Sequence, residues 1–243
     1  MFEFSGKYRI DFIDEVDSTN SYLKKLARQG RVNAPFCVSA NAQTKGRGQR
    51  ENLWQSEAGK NVQCSFVISV KEVAALSKVN LAAAISIFEV LKSFSLNRLS
   101  IKWPNDVFAG DKKIAGILTE NVIENGVVKN SIVGIGLNVN QLTFKDIEAT
   151  SMKLQTNTTF DRVEIVKGLY DHLYSNLELN ERDLLKSVNS MLYKKNEFVT
   201  FQTETGIKEY NIVSYLANGN LFVKSKEEYE FAELEHHRIK WLK

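Results

Sequence analysis

The chain has 243 residues, 43% of them apolar and 25% charged, which is room for one large core and a small second domain. Its formal net charge of +3 is too small for an electrostatic footprint on nucleic acid unless the lysines cluster. No apolar run approaches the roughly 20 residues of a membrane span, and Met1-Phe2-Glu3-Phe4 lacks a basic region leading into an apolar segment, so a cytoplasmic protein without a membrane partner is expected.

Tyr8-Arg9-Ile10-Asp11-Phe12-Ile13 alternates with period two and predicts a strand. Asp17-Ser18-Thr19-Asn20 then offers N-caps for a helix that carries Tyr22, Leu23, Leu26 and Ala27 on one face and stops at Gly30. Residues 35–40 and 62–70 read as strands, and the polar, glycine-bearing segment 43–60 between them is a loop long enough to suggest function. Cys37 and Cys64 sit in these apolar segments without CxxC spacing and are expected as buried thiols. The stripe Leu76, Val79, Ala83, Ile87, Val90, Leu91 and Phe94 predicts a core helix. Leu99-Ser100-Ile101-Lys102 leads into Trp103-Pro104-Asn105-Asp106, where proline ends regular pairing.

Residues 114–124 and 127–138 read as long strands joined by Asn125-Gly126, a strong hairpin signal, so groups at their far ends should lie side by side. Two helical patterns follow, one through Val163, Val166, Leu169, Tyr170 and Leu173, the other through Leu184, Leu185, Val188 and Leu192. From Glu197 onward short strands at 198–202, 210–214 and 221–223, with a turn at Asn218-Gly219, predict a small β-barrel-like domain.

Thr44-Lys45-Gly46-Arg47-Gly48-Gln49-Arg50 is a basic loop in which two glycines flank an arginine. Glycine lets backbone N–H groups approach an anion, and guanidinium presents a planar fork to phosphate; the same composition also suits a solvated loop. The Walker pattern is absent, and Gly134-Ile135-Gly136 lacks the third glycine of a dinucleotide fingerprint. Asp106 could hold a metal, accept a proton or cap a turn. Lys113 could neutralise a phosphate or face solvent, and Asn138 could ligate a cation or form an Asx turn. His172, His236 and His237 have no metal-ligand spacing, so a structural zinc is not expected.

Taken together in order and spacing, Ser18-Thr19-Asn20, Gln43 with Gly46-Arg47-Gly48 and Trp54, Lys102-Trp103-Pro104-Asn105-Asp106, Lys113-Ile114-Ala115-Gly116-Ile117-Leu118 and Gly134-Ile135-Gly136-Leu137-Asn138 resemble the biotin protein ligases. The resemblance implies an α/β (α+β) catalytic domain over residues 1–194, a mixed β-sheet flanked by helices as in class II synthetases, and a small SH3-like β-barrel over 195–243. It implies ATP and biotin as substrates with Mg²⁺, biotinyl-5′-AMP as intermediate, and a lysine of a biotin carboxyl carrier domain as acceptor.

Carried residue by residue, the resemblance assigns Ser18, Thr19, Gln43, Gly46, Gly116 and Gly134 to the biotin pocket, with Arg47 and Lys113 around the biotin carboxylate and the α-phosphate. Arg50, Trp54, Asn105 and Asn138 join Arg47 and Lys113 around the nucleotide, Asn138 also near a metal held through the phosphates. Arg47, Lys102, Asp106 and Lys113 are the implied catalytic set: Asp106 accepts or orients the acceptor amine, and Lys102 polarises the carbonyl or organises the site. Glu51 stands where relatives continue the loop with glycine, and Gln49 where some carry arginine, so loop closure and retention of the intermediate are expected to differ. The segment that resembles the catalytic domain begins close to Met1, so no operator DNA binding is expected; monomer and homodimer both remain open.

Overall fold

The computed structural model describes residues 4–5, 8–49, 52–70, 75–145, 147–227 and 229–242. Its larger sheet has eight strands: β1 (Phe4–Ser5), β2 (Tyr8–Val16), β3 (Phe36–Gln43), β4 (Val62–Ser69), β5 (Leu99–Lys102), β6 (Asp106–Ala109), β7 (Lys112–Glu124) and β8 (Val127–Leu137). They lie in the order β1-β2-β3-β4-β8-β7-β6-β5. Among the described residues only the pairing of β2 with β3 is parallel in this sheet, so it is mixed as expected.

Alternation along the central strands separates two apolar layers. On one face Val67, Val122 and Ile132 pack under helix α1 (Thr19–Arg28) through Leu23, Leu26 and Ala27. On the other, Cys64, Phe66, Val133, Ile135 and Leu137 meet α2 (Ala75–Ser93), α4 (Arg162–Glu178) and α5 (Glu181–Ser190). Cys37 and Cys64 are buried free thiols, and packing against Cys64 adds to burial in pushing the Cys37 thiol up.

The hairpin forms where Asn125-Gly126 predicts it, both residues at positive φ. A short helix α3 (Met152–Thr156), which no apolar period announces, is capped by the Ser151 hydroxyl and ended by Asn157 at φ 58°.

The C-terminal unit comprises β9 (Phe198–Thr203), β10 (Gly206–Tyr215), β11 (Leu221–Ser225), β12 (Phe231–Leu234) and β13 (Lys240–Trp241), all antiparallel in the order β12-β11-β10-β9-β13. β12 and β13 end the sheet without pairing to each other, which corrects the expected closed barrel. Four- and two-residue strands are too short to complete the circuit. The unit docks through α5, where the Asn189 amide exchanges two hydrogen bonds with the Tyr215 backbone (3.0 and 2.7 Å).

Candidate active site

Strand register builds the site on the α1 face of the sheet. Asp106 pairs with Gly116, Gly116 with Gly136, and Gly136 with Gln63. One lateral row across β6, β7, β8 and β4 therefore has polar side chains at its ends and two glycines between. The next row sets Leu118 beside Gly134 and Gly134 beside Ser65. A cavity of about 340 Å³ opens over these rows.

The glycines are required by what lies above them. A Cβ on Gly136 would overlap the Trp54 indole, and one on Gly134 the Asn20 amide. Gly46, assigned to the pocket by resemblance, is not among the lining residues; a Cβ there would stand 2.7 Å from the Trp54 carbonyl oxygen. Its role is to let the basic loop fold back on itself, with Trp54 N donating to Gly46 O (3.1 Å) and Gly48 N to Asn52 O (2.8 Å).

One end of the cavity is a preorganised polar cluster. Ser18 caps α1 with φ −158°, leaving Thr19 and Asn20 on the first turn, both buried. Gln43 Oε1 accepts from Thr19 N (2.7 Å) and Thr19 Oγ1 (3.1 Å), and Gln43 Nε2 donates to Gln63 Oε1 (2.9 Å). The Ser65 hydroxyl bridges Thr19 Oγ1 (2.8 Å) and Asn20 Oδ1 (2.6 Å).

The other end is charged. Lys113 Nζ lies 2.6 Å from Asp106 Oδ1 and 5.6 Å from the Trp54 ring centroid. The ion pair is short but lacks good hydrogen-bond alignment at Asp106 Oδ1. Arg47 reaches Glu120 Oε2 at 2.7 Å, and Glu120 also receives Asn20 Nδ2 (3.0 Å) and Lys24 Nζ (3.2 Å). Burial alone would raise the Glu120 carboxyl, but hydrogen bonds from Asn20 and Lys24 and the charges of Arg47 and Lys24 outweigh it and hold the pKa below its ordinary value.

Of the other residues assigned from the sequence, Ser18, Thr19, Gln43, Trp54, Asn105, Asp106, Gly116 and Gly134 line this cavity with Arg47 and Lys113, while Lys102 and Asn138 do not. Lys102 Nζ instead sits over three aromatic rings, at 4.6 Å from Trp241, 4.7 Å from Phe108 and 5.6 Å from Tyr193. Burial there lowers its pKa, and the Lys113 charge acts in the same direction against the pull of Asp106 and Glu148. Asn138 is buried at the end of β8, its Nδ2 donating to Thr150 O (3.0 Å) and its Oδ1 unpartnered. Arg50 and Glu51 lie outside the described residues.

Sequence reasoning missed the contribution of the C-terminal unit. His236, Ile239, Lys240 and Trp241 also line the cavity. Trp241 Nε1 donates to the Trp103 carbonyl (3.1 Å), and Trp103 Nε1 donates to Gly219 O (2.8 Å), so the turn carrying Asn105 and Asp106 is held from both sides. Among the described residues no three His, Cys, Asp or Glu side chains are placed to hold a metal ion, and no helix is long and apolar enough to cross a membrane.

The sequence profile of the biotin/lipoate A/B protein ligase family matches residues 12–138. The bifunctional ligase/repressor BirA of Bacillus subtilis is 32% identical over 192 residues, spanning 75% of this chain and 56% of that protein. The biotin–[acetyl-CoA-carboxylase] ligase of Mycobacterium tuberculosis is 33% identical over 154 residues, 61% of this chain and 56% of that one. The chain thus spans a little over half the length of these curated relatives. Among solved structures, a biotin protein ligase from Aquifex aeolicus in complex with biotin and ATP superposes with a TM-score of 0.82 at 27% identity, covering 98% of this chain and 99% of that one.

Proposed function

The chain belongs to the biotin/lipoate A/B protein ligase family, and from that premise we propose that it is a biotin protein ligase that forms biotinyl-5′-AMP from biotin and ATP and transfers the biotinyl group to a lysine of a carboxylase's carrier domain. The observation that carries the reading is one cavity with an amide and hydroxyl cluster at one end, the Lys113–Asp106 pair at the other and a glycine floor between. A ureido ring needs donors and acceptors when it is buried, and its thioether ring and valeryl chain need close apolar packing.

In the first half-reaction a biotin carboxylate oxygen attacks the α-phosphorus while the bond to the β-phosphate oxygen breaks and pyrophosphate leaves with the electron pair. Two anions must approach each other. Arg47 and Lys113 are the cations assigned to neutralise them, each released from its carboxylate partner, Glu120 and Asp106, as the substrate anion takes its place. Trp54, folded over Gly136, is assigned to the adenine side and, with the loop, to keeping water from the anhydride. Magnesium would arrive with the triphosphate and would supply charge neutralisation there. The described residues offer no cage of their own for it, and the unpartnered Asn138 Oδ1 lies outside the cavity lining.

In the second half-reaction the acceptor amine attacks the acyl carbon and the acyl–oxygen bond to AMP breaks. Asp106, 2.6 Å from Lys113, is assigned to take the amine proton. For Lys102 the aromatic cage supports the organising role over carbonyl polarisation, because its charge is directed at Trp241, Phe108 and Tyr193.

The test is pyrophosphate release from ATP and Mg²⁺ with biotin, lipoate or octanoate supplied separately, followed by mass analysis of an added carrier domain. Biotin-dependent release with a biotinyl-lysine adduct is expected. Release with lipoate alone would reassign the substrate within the family, and binding without release would make the chain a silent binding domain.

A further inference from the structure

Gln63 belongs to no motif of the sequence, yet it is 2% exposed, lines the cavity and has an amide nitrogen with no partner. Which end of a glutamine is nitrogen is ordinarily a matter of assignment. Here the chain of contacts fixes it. The Thr19 backbone N–H can only donate, so the Gln43 atom 2.7 Å away is Oε1. The other end of Gln43 is then Nε2, and the Gln63 atom it meets at 2.9 Å must be the acceptor, Oε1. The remaining end of Gln63 is therefore a donor, and what satisfies it must be an acceptor.

The register places that donor at a defined distance from the chemistry. Gln63 and Asp106 close the two ends of the row whose middle positions are Gly136 and Gly116. Three strand spacings separate them, about 14 Å of backbone, from which both side chains reach inward. A ligand whose carboxylate lies at Lys113 and Asp106 and whose body runs over the glycines has its far end at Gln63. Both ends of the Gln43 amide are already engaged, Oε1 by Thr19 N and Oγ1 and Nε2 by Gln63 Oε1. The Thr19 hydroxyl already donates to Gln43 Oε1 and so meets a ring N–H as an acceptor, while a ring carbonyl needs a donor, which Gln63 Nε2 has free.

We propose that Gln63 is a substrate-binding residue that donates a hydrogen bond to the ureido carbonyl oxygen of biotin. The inference rests on the biotin reading above. The carbonyl, rather than the thioether sulfur, is the partner because a ureido oxygen is a strong acceptor and a thioether sulfur a weak one. Thr19 and Gln43 act together as the scaffold that orients Gln63, which explains why the β4 strand spends a buried position on an amide.

The test measures biotin affinity by calorimetry on the full chain, for wild type, Gln63→Met and Gln63→Glu. Gln63→Met removes the donor and should weaken biotin binding roughly tenfold, the scale of one lost hydrogen bond. Gln63→Glu keeps the acceptor that Gln43 needs but turns an acceptor toward the ligand. It should weaken biotin and, at neutral pH, improve iminobiotin, whose protonated guanidinium replaces the ureido carbonyl, shifting the ratio of the two affinities at least tenfold toward the analogue. A purely structural role would lower both affinities together. Wild-type affinity in Gln63→Met, or an unchanged ratio in Gln63→Glu, overturns the inference; should Gln63→Met fail to fold, the ratio in Gln63→Glu decides. Failure of the wild type to bind biotin at all would overturn the ligase reading itself, and this inference with it.

Discussion

Replacing Trp241 with phenylalanine tests whether the C-terminal unit holds the Trp103-Pro104-Asn105-Asp106 turn. The substitution removes the Nε1 donor that reaches the Trp103 carbonyl at 3.1 Å, while a six-membered ring can still meet Phe201, whose centroid lies 4.7 Å from the indole, and part of the Lys102 cage. Leaving a largely buried carbonyl without its donor costs about 1–3 kcal/mol. Thinning the cation–π contact adds about 0.5 kcal/mol, so a loss of about 2 kcal/mol in unfolding free energy is expected. Functionally the loosened turn carries Asp106, and misplacement of a catalytic group on the scale of 1 Å costs up to about a hundredfold. Transfer to a carrier domain should therefore slow by roughly tenfold or more at saturating substrates. Urea unfolding followed by circular dichroism and single-turnover transfer from preformed intermediate measure the two. Unfolding within about 0.5 kcal/mol of wild type together with an unchanged transfer rate would refute the latch.

Lys113→Ala should abolish pyrophosphate release, whereas Asp106→Ala should impair transfer more than adenylation; equal losses in both half-reactions for Asp106→Ala would remove its assigned role. Gly136→Ala puts a methyl group into the Trp54 indole and should displace it, raising KM for ATP several-fold, read by steady-state pyrophosphate release across ATP concentrations. Glu120 has a folded-state pKa below its ordinary 4.5, so its contribution to stability is present above that value and is lost as pH falls through the lowered one. Glu120→Gln should therefore destabilise at pH 7 by about 1 kcal/mol, a modest figure because Arg47 is exposed, and the two proteins should converge in acid, followed by thermal unfolding across pH.

The elements that show themselves in the sequence are those whose signal is local. The Asn125-Gly126 turn, the apolar stripe of α2 and the Ser18 cap each act within a few residues, and each forms where expected. The site beyond its motifs was less legible. Val62-Gln63-Cys64-Ser65-Phe66 alternates, but alternation ordinarily sends the polar side chains to solvent. Here Gln63 lines the cavity and Ser65 is buried against Thr19 and Asn20, which only the neighbouring strands and α1 reveal. Glu120 shares the face of Gly116 and Leu118 by period two, yet its partners Asn20, Lys24 and Arg47 lie about a hundred, about a hundred and about seventy residues away. β13 is two residues long and is defined by pairing with β9, so no pattern in the last residues announces that Trp241 lines the cavity.

The charge arrangement ties these observations together. Arg47 and Lys113 are each matched by a carboxylate, Glu120 and Asp106, so on the proposed roles a substrate anion would enter by exchange and gain only the difference between its own attraction and that of the resident partner. Glu120 is anchored by Asn20 and Lys24 as well as by Arg47, and when Arg47 leaves it keeps two of its three contacts. Asp106 is held in place by the pairing of β6 with β7 rather than by Lys113. Glu120 can therefore release its cation without being stranded, since burying an unpaired charge is the costly step, whereas Asp106 is left with no hydrogen-bond partner at Oδ1. On the proposed roles, the carboxylate freed at Asp106 is the base that the second half-reaction needs, which would couple arrival of the substrate anion at Lys113 to readiness for the acceptor amine.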